Sequence, residues 1–256
     1  MQTQLVITES GVSCASTSDT PPSGGILVSR NRKRYAISLS PDASSAALVG
    51  LLATVRATKG PIDLTVGADH LNFTSSQDFC VEIMKRALSS IESTEGSPFS
   101  SHLEIANPSL LSAEGTPAPL LTLCNFSYIG MDTPSALLAL NQLDIDDLCL
   151  VGLNRAMRYC VLKMPPEVAW PSITPHANRP IEDAPDDVTA LWFTALFEAA
   201  LAIRKPLYHH GTIHIDHSRH IIFQRILFPI APRGVRPINF RIASAAHTQH
   251  PEIVIM

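Results

Sequence analysis

Residues 40–66, SPDASSAALVGLLATVRATKGPIDLTV, carry the decision between fold classes. Leu48, Leu51, Leu52 and Val55 recur at the i, i+3, i+4, i+7 spacing of one helical face. Ser40 or Asp42 is placed to cap that helix, because a short oxygen-bearing side chain accepts an otherwise orphaned backbone N–H. Gly60 and Pro61 stop it. Ile62, Leu64 and Val66 then alternate with Asp63 and Thr65, the period of a strand with one buried face. A helix that feeds a strand within so few residues predicts a sheet with helices packed against it.

The neighbouring segments extend this pattern. Upstream, ILVSRNRKRYAISL (26–39) has two apolar, β-prone ends around a polar centre and reads as a hairpin. Downstream, a second helix is expected from about Thr74–Ser76 to Ser93, with Cys80, Ile83, Met84, Ala87, Leu88 and Ile91 as its buried stripe. A short strand HLEIA (102–106) and a short helix opened by Asn107-Pro108-Ser109 follow, giving the order ββ-α-β-α-β-α. Residues 1–25 contain SCASTSDTPPSGG, with little to bury, and are expected to be a disordered leader.

SAEGTPAP (112–119) has a linker composition, which places the first domain at 26–115 and a linker at 116–136. In the second half, Leu148–Leu153 and Met157–Met164 read as paired strands across Asn154. The following stretch to Asp187 holds six prolines, which lack backbone donors and restrict the residue before them, so no long regular element is expected there. A helix over Asp187–Arg204 follows, with Trp192, Ala195, Leu196, Ala199 and Ile203 on one face. Three strand-like runs close the chain, Leu207–Ile215, His220–Ile230 and Arg236–Ala245, an antiparallel α+β arrangement over 137–246 with a tail at 247–256.

The chain has 256 residues, enough for one large domain or two small ones at about 100–200 residues each. Charged residues are 16%, below the usual value of about 25%, while the 20 prolines exceed the usual share of about 5%. A formal charge of −4 leaves no basic footprint for nucleic acid. No apolar run approaches the about 20 residues of a membrane span, and the start lacks the basic and apolar regions of a signal peptide. Cys14, Cys80, Cys124, Cys149 and Cys160 are odd in number, widely spaced and without a Cys-x-x-Cys pair, so the expected setting is a reducing cytoplasm.

Signatures of catalysis are missing: the sequence has neither a Gly-x-Ser-x-Gly elbow nor a Gly-x-x-x-x-Gly-Lys phosphate loop. The histidines His209, His210, His214, His217 and His220 invite a metal-dependent hydrolase as the alternative to a regulator. Metal ligation needs several imidazoles at about 2.0–2.1 Å from one ion. On a strand, His210 and His214 share a face yet lie roughly 13 Å apart, and His209 faces the other way, so no metal is expected. Asp144, Asp146, Asp147, Glu182, Asp183, Asp186 and Asp187 sit beside element starts, where carboxylates favour the positive helix end. Ser75 and Ser76 open the second helix, as a cap or as a phosphosite facing that positive end. Tyr159, Trp170, His214, Phe223 and Arg225 are candidate lining residues for a ligand pocket. Arg225, between apolar Phe223 and Leu227, needs a partner, which Glu182, Asp183, Asp216 or an anionic ligand would supply. No motif names a cofactor.

Residues 195–245, ALFEAALAIRKPLYHHGTIHIDHSRHIIFQRILFPIAPRGVRPINFRIASA, resemble the helix–three-strand end of a PAS domain, of the branch abundant in alphaproteobacterial regulators. The matching features are the basic-Pro step at Lys205-Pro206, Phe223-Gln224-Arg225 and Leu227-Phe228-Pro229-Ile230. The run PIDLTVGADHLNFTSSQDFCVEIM (61–84) is similar to STAS domains of the anti-sigma-factor-antagonist type, in which a serine at this turn is phosphorylated by a partner kinase. These resemblances imply an α/β plus α+β protein, a STAS-like domain followed by a PAS-like one. They further imply a non-enzymatic cytoplasmic signalling protein, working through protein–protein contacts with signalling partners or a second copy of itself. A small ligand in the PAS-like half would be its signal.

Overall fold

The computed structural model describes residues 3–15, 20–31, 34–56, 60–113, 149–153, 158–163, 180–183, 186–214, 220–230, 239–247 and 251–252, with single positions at 58, 118 and 121. The protein is mixed α and β, with two sheets among the described residues. Its chain divides into two compact units, Met1–Thr94 with Leu191–Ile203, and Glu95–Ala190 with Arg204–Met256.

The first unit is built on a sheet of order β2-β1-β3-β4-β5-β6. Its strands are β1 (Thr3–Thr8), β2 (Gly11–Cys14), β3 (Ile26–Asn31), β4 (Arg34–Leu39), β5 (Ile62–Val66) and β6 (Asp69–Phe73). The residues expected to form a disordered leader therefore contain a hairpin, β1–β2, whose first strand pairs with β3 through Ile7↔Ile26. Both isoleucines are fully buried. The composition of 1–25 averages the β-prone QLVIT run with the Ser/Thr/Pro stretch after it, and the run is what folds.

Helix α1 (Ser45–Val55) connects β4 to β5, which pair in parallel from Tyr35↔Ile62 to Leu39↔Val66. Among the described residues every other ladder is antiparallel. The expected stripe Leu48, Leu51, Leu52 and Val55 is buried. The cap is Ser44, not Ser40 or Asp42: its Oγ accepts from the Ala47 N–H at 3.2 Å. Ser40 and Asp42 instead close the preceding loop, where the Asp42 carboxylate accepts from the hydroxyls of Ser40 and Ser23, the latter at 2.6 Å.

Between β5 and the second helix, where a polar turn is expected, the strand β6 intervenes. Gly67, at φ +60°, supplies the positive backbone angle that a two-residue hairpin loop requires. Helix α2 (Ser76–Glu92) then buries Cys80, Ile83, Met84, Ala87, Leu88 and Ile91, the stripe expected of it.

The second unit holds β7 (Phe99–Ile105), α3 (Pro108–Ala113), β8 (Cys149–Leu153), β9 (Tyr159–Lys163), β10 (Leu207–His214), β11 (His220–Ile230), β12 (Asn239–His247) and β13 (Pro251–Glu252). Sheet order is β7-β10-β11-β12-β8-β9, with β13 on β12. The final three-strand run and the β8–β9 pair form as expected. The division near residue 115 does not: β7 and α3 fall in the second unit, because β7 pairs along its whole length with β10. Conversely, residues Leu191–Ile203 of helix α4 (Asp187–Ile203) fall in the first unit.

Three polar contacts tie α4 into that unit. Gln77 Nε2 donates to the Ile203 carbonyl at 2.9 Å, covering an acceptor left over at the helix end. Trp192 Nε1 donates to Glu92 at 3.2 Å, and Arg56 pairs with Glu198 at 3.6 Å. Trp192, Ala195, Leu196, Ala199 and Ile203 are fully buried, and so nearly are Phe193, Phe197 and Leu201 on other sides. A helix apolar all round is a core helix. No helix among the described residues is long and apolar enough to cross a membrane.

Candidate ligand-binding cleft

In an open α/β sheet the crevice beyond the carboxyl ends of parallel strands is where ligands bind, because the connecting loops diverge there. The β4–β5 pair ends at Leu39 and Val66, and at that end the first unit opens into a cleft of about 550 Å³. This lies within the about 300–1,000 Å³ of small-molecule sites. Leu39 and Val66 line it with Leu48 of α1 and the Ser40, Pro41 and Ala43 loop.

The facing wall is the polar side of α2. Glu82, Lys85, Arg86, Ser89, Ser90 and Ser93 recur at helical spacing opposite the buried stripe. Arg86 Nε donates to Glu82 at 2.7 Å. The four other guanidinium N–H donors meet no partner among the described residues. Ser90 shares a 2.7 Å hydrogen bond with Ser45 at the start of α1, and Ser93 donates to the Ser90 carbonyl, so two of the hydroxyls are held in place. Behind Ser40, hydroxyl donors from Ser23 and Ser40 and the Gly24 backbone hold the Asp42 carboxyl well below the usual carboxylate range. The sequence signal for this cleft is a strand–helix–strand crossover followed by a helix with a Ser/Lys/Arg face.

The residues singled out from sequence do not gather in one place. Phe223 and Arg225 share a face of β11 and are buried, with the guanidinium carbon 4.8 Å from the ring centre. His214 is exposed and belongs to the opposite face, opposite His220 at a ring separation of 6.4 Å. Tyr159 is buried on β9, three strands along the sheet path from β11, roughly 14 Å at ordinary strand spacing. Trp170, His217 and Asp216 lie outside the described residues.

Arg225 draws on a partner the sequence did not suggest. Its Nε donates to His209 Nδ1 at 2.7 Å, across the β10–β11 register pair His209↔Arg225. Burial, then the charge of Arg225, then His210 and His102, hold His209 well below its ordinary pKa. The imidazole is therefore neutral, and accepting at Nδ1 puts its proton on Nε2. Glu182 and Asp183, offered as partners for Arg225, instead clamp Arg158 and raise its pKa, Asp183 at 2.5 Å. Asp186 caps α4, accepting from the Val188 N–H at 3.1 Å and from the Thr189 hydroxyl.

His210 meets His102 and Tyr208 on the face away from His209, with ring centres at 5.5 and 5.2 Å. Among the described residues no three His, Cys, Asp or Glu side chains gather in a group able to hold a metal ion. Ser75 acts as the α2 cap, its Oγ accepting from the Gln77 N–H at 3.1 Å, with Ser76 the first helical residue. Burial pushes the Cys80 thiol up to about 12, which makes it an uncharged filler. Comparison with protein-family models, curated proteins and solved structures finds no match.

Proposed function

We propose that this chain is a non-enzymatic regulatory protein that takes a small ligand as input and answers through protein–protein contacts. The cleft at the carboxyl ends of β4 and β5 carries the reading: it is of ligand size, and its hydroxyls and charges are presented from fixed elements. The resemblance of 195–245 to PAS domains and of 61–84 to STAS domains adds a signalling role by analogy. In this reading the first unit works as a STAS-like module and the second as a PAS-like one, and the ligand enters the first unit rather than the PAS-like half to which the resemblance assigns it. Signalling proteins or a second copy are the partners, and the setting is the cytoplasm. Phosphorylation at Ser75 or Ser76 would add charge where the positive end of α2 receives it.

Native mass spectrometry of the protein isolated from its own host tests this. The expected spectrum carries a small-molecule adduct, and removing that adduct changes the oligomeric state or the co-purifying partners. Turnover of an ester, amide or phosphoester panel that disappears on substitution of a cleft residue would refute the non-enzymatic reading.

A further inference from the structure

We infer that the cleft takes an organic monocarboxylate, a single carboxylate head on a short apolar body. The inference rests on the ligand-input reading above and names its ligand class. Three features of the lining select that chemistry. Leu39, Pro41, Leu48 and Val66 line one side, and because Leu39 and Leu48 are buried, Pro41 and Val66 carry most of the apolar surface that a ligand body would cover.

Across from it, Lys85 and the unpartnered N–H fork of Arg86 face the cleft from α2, and a guanidinium fork matches a carboxylate in geometry as well as charge. Because Nε is already held by Glu82, the fork stands in a set direction rather than sweeping through solvent. Ser89 adds an exposed hydroxyl one turn further along the same wall.

The third feature is the charge balance. Lys85 and Arg86 oppose Glu82 in the lining, a surplus of one positive charge. One negative charge is compensated near Arg86, and a dianionic phosphate is not. The body length follows from the room available, a few carbons to a single ring.

The test is an amide NMR titration of the full chain with sodium hexanoate, hexanamide and inorganic phosphate, in wild type and Arg86→Gln. Hexanoate is expected to move the amides of Leu39, Ser40, Asp42, Ala43 and 89–93, with hexanamide at least about tenfold weaker. Arg86→Gln should weaken hexanoate about tenfold and leave hexanamide unchanged, while an unaltered spectrum elsewhere confirms that the variant is folded. Lys85→Gln should weaken hexanoate less, since a flexible ammonium sets no direction. Equal binding of hexanamide and hexanoate overturns the carboxylate class and leaves the ligand-input reading standing. Tighter phosphate binding overturns the single-charge argument. If no probe moves the cleft amides, the class is overturned, and the adduct on the host-derived protein decides the ligand-input reading separately.

Discussion

Lowering the pH below 6.5 should loosen the second unit through one side chain, His209. In the fold this imidazole is fully buried, accepts a hydrogen bond from Arg225 and packs its ring 4.9 Å from that of Phe223. Burial, reinforced by the adjacent guanidinium, keeps it neutral. In the unfolded chain the same group titrates near about 6.5. Below that value the unfolded state binds a proton that the native state refuses, so stability falls as pH falls, by about 1.4 kcal/mol per unit while His209 remains neutral in the fold. Between pH 6.5 and 5.0 the loss is at most about 2 kcal/mol, the limit reached when His209 stays neutral in the fold throughout, against an ordinary domain stability of about 5–15 kcal/mol. Asp42 works in the other direction and a different window. Its depressed pKa supplies stability above the usual carboxylate range that is lost only as pH falls below about 4. Urea unfolding followed by circular dichroism at pH 7.5, 6.0 and 5.0 measures the effect. His209→Gln keeps an acceptor for Arg225 and removes the titration, so its stability loss between pH 7.5 and 5.0 should be smaller than that of wild type, by at most about 2 kcal/mol. If both proteins lose the same amount, His209 is not the acid-sensitive group and the linkage argument fails.

Gly211→Ala should destabilise the β7–β10 ladder by about 2–3 kcal/mol, because a Cβ there would lie 2.3 Å from the Ser100 carbonyl oxygen and 2.6 Å from the Ser101 Cα. An unchanged urea midpoint would contradict it. Trp192→Ala should cost about 3–5 kcal/mol and lower the melting of the first unit, as a fully buried indole is replaced by a void; a loss near zero would mean that α4 is not part of that core. A fragment spanning 26–115 should show no cooperative thermal transition, since it lacks the β1 strand that buries Ile7 and the α4 helix that buries Trp192, whereas a sharp transition would show that those elements are dispensable. Ser44→Ala should destabilise by about 1 kcal/mol and Ser40→Ala should leave the α1 cap intact, a contrast readable in helical circular dichroism.

Local pattern made a large part of this protein legible. The faces of α1 and α2 were written in the spacing of Leu48, Leu51, Leu52 and Val55 and of Cys80 to Ile91, because a helix repeats every 3.6 residues whatever it packs against. Strand parity alone puts His209 and His210 on opposite faces, and one is fully buried while the other is half-buried. The candidate site was less legible. Phe223 and Arg225 were recognised as neighbours, yet the partner of Arg225 depends on the register that sets it beside His209, sixteen residues earlier in the chain. Arg158 could not be foreseen as the owner of Glu182 and Asp183, because the contact spans a stretch without periodicity.

Side-chain spacing along a regular backbone sets the apolar faces of α1, α2 and α4 and marks the strands β3, β4 and β5, whereas β1, β2 and β6 lie in stretches whose composition points to loop. Tertiary structure decided which segments belong together. Strand β7 joins β10, a hundred residues later, and α4 leaves the strands that follow it to complete the core beneath 1–94. Ladder pairing and the burial of a helix apolar on all sides are settled by whichever distant surface offers the better match in register and shape. No property of the segment alone encodes that surface.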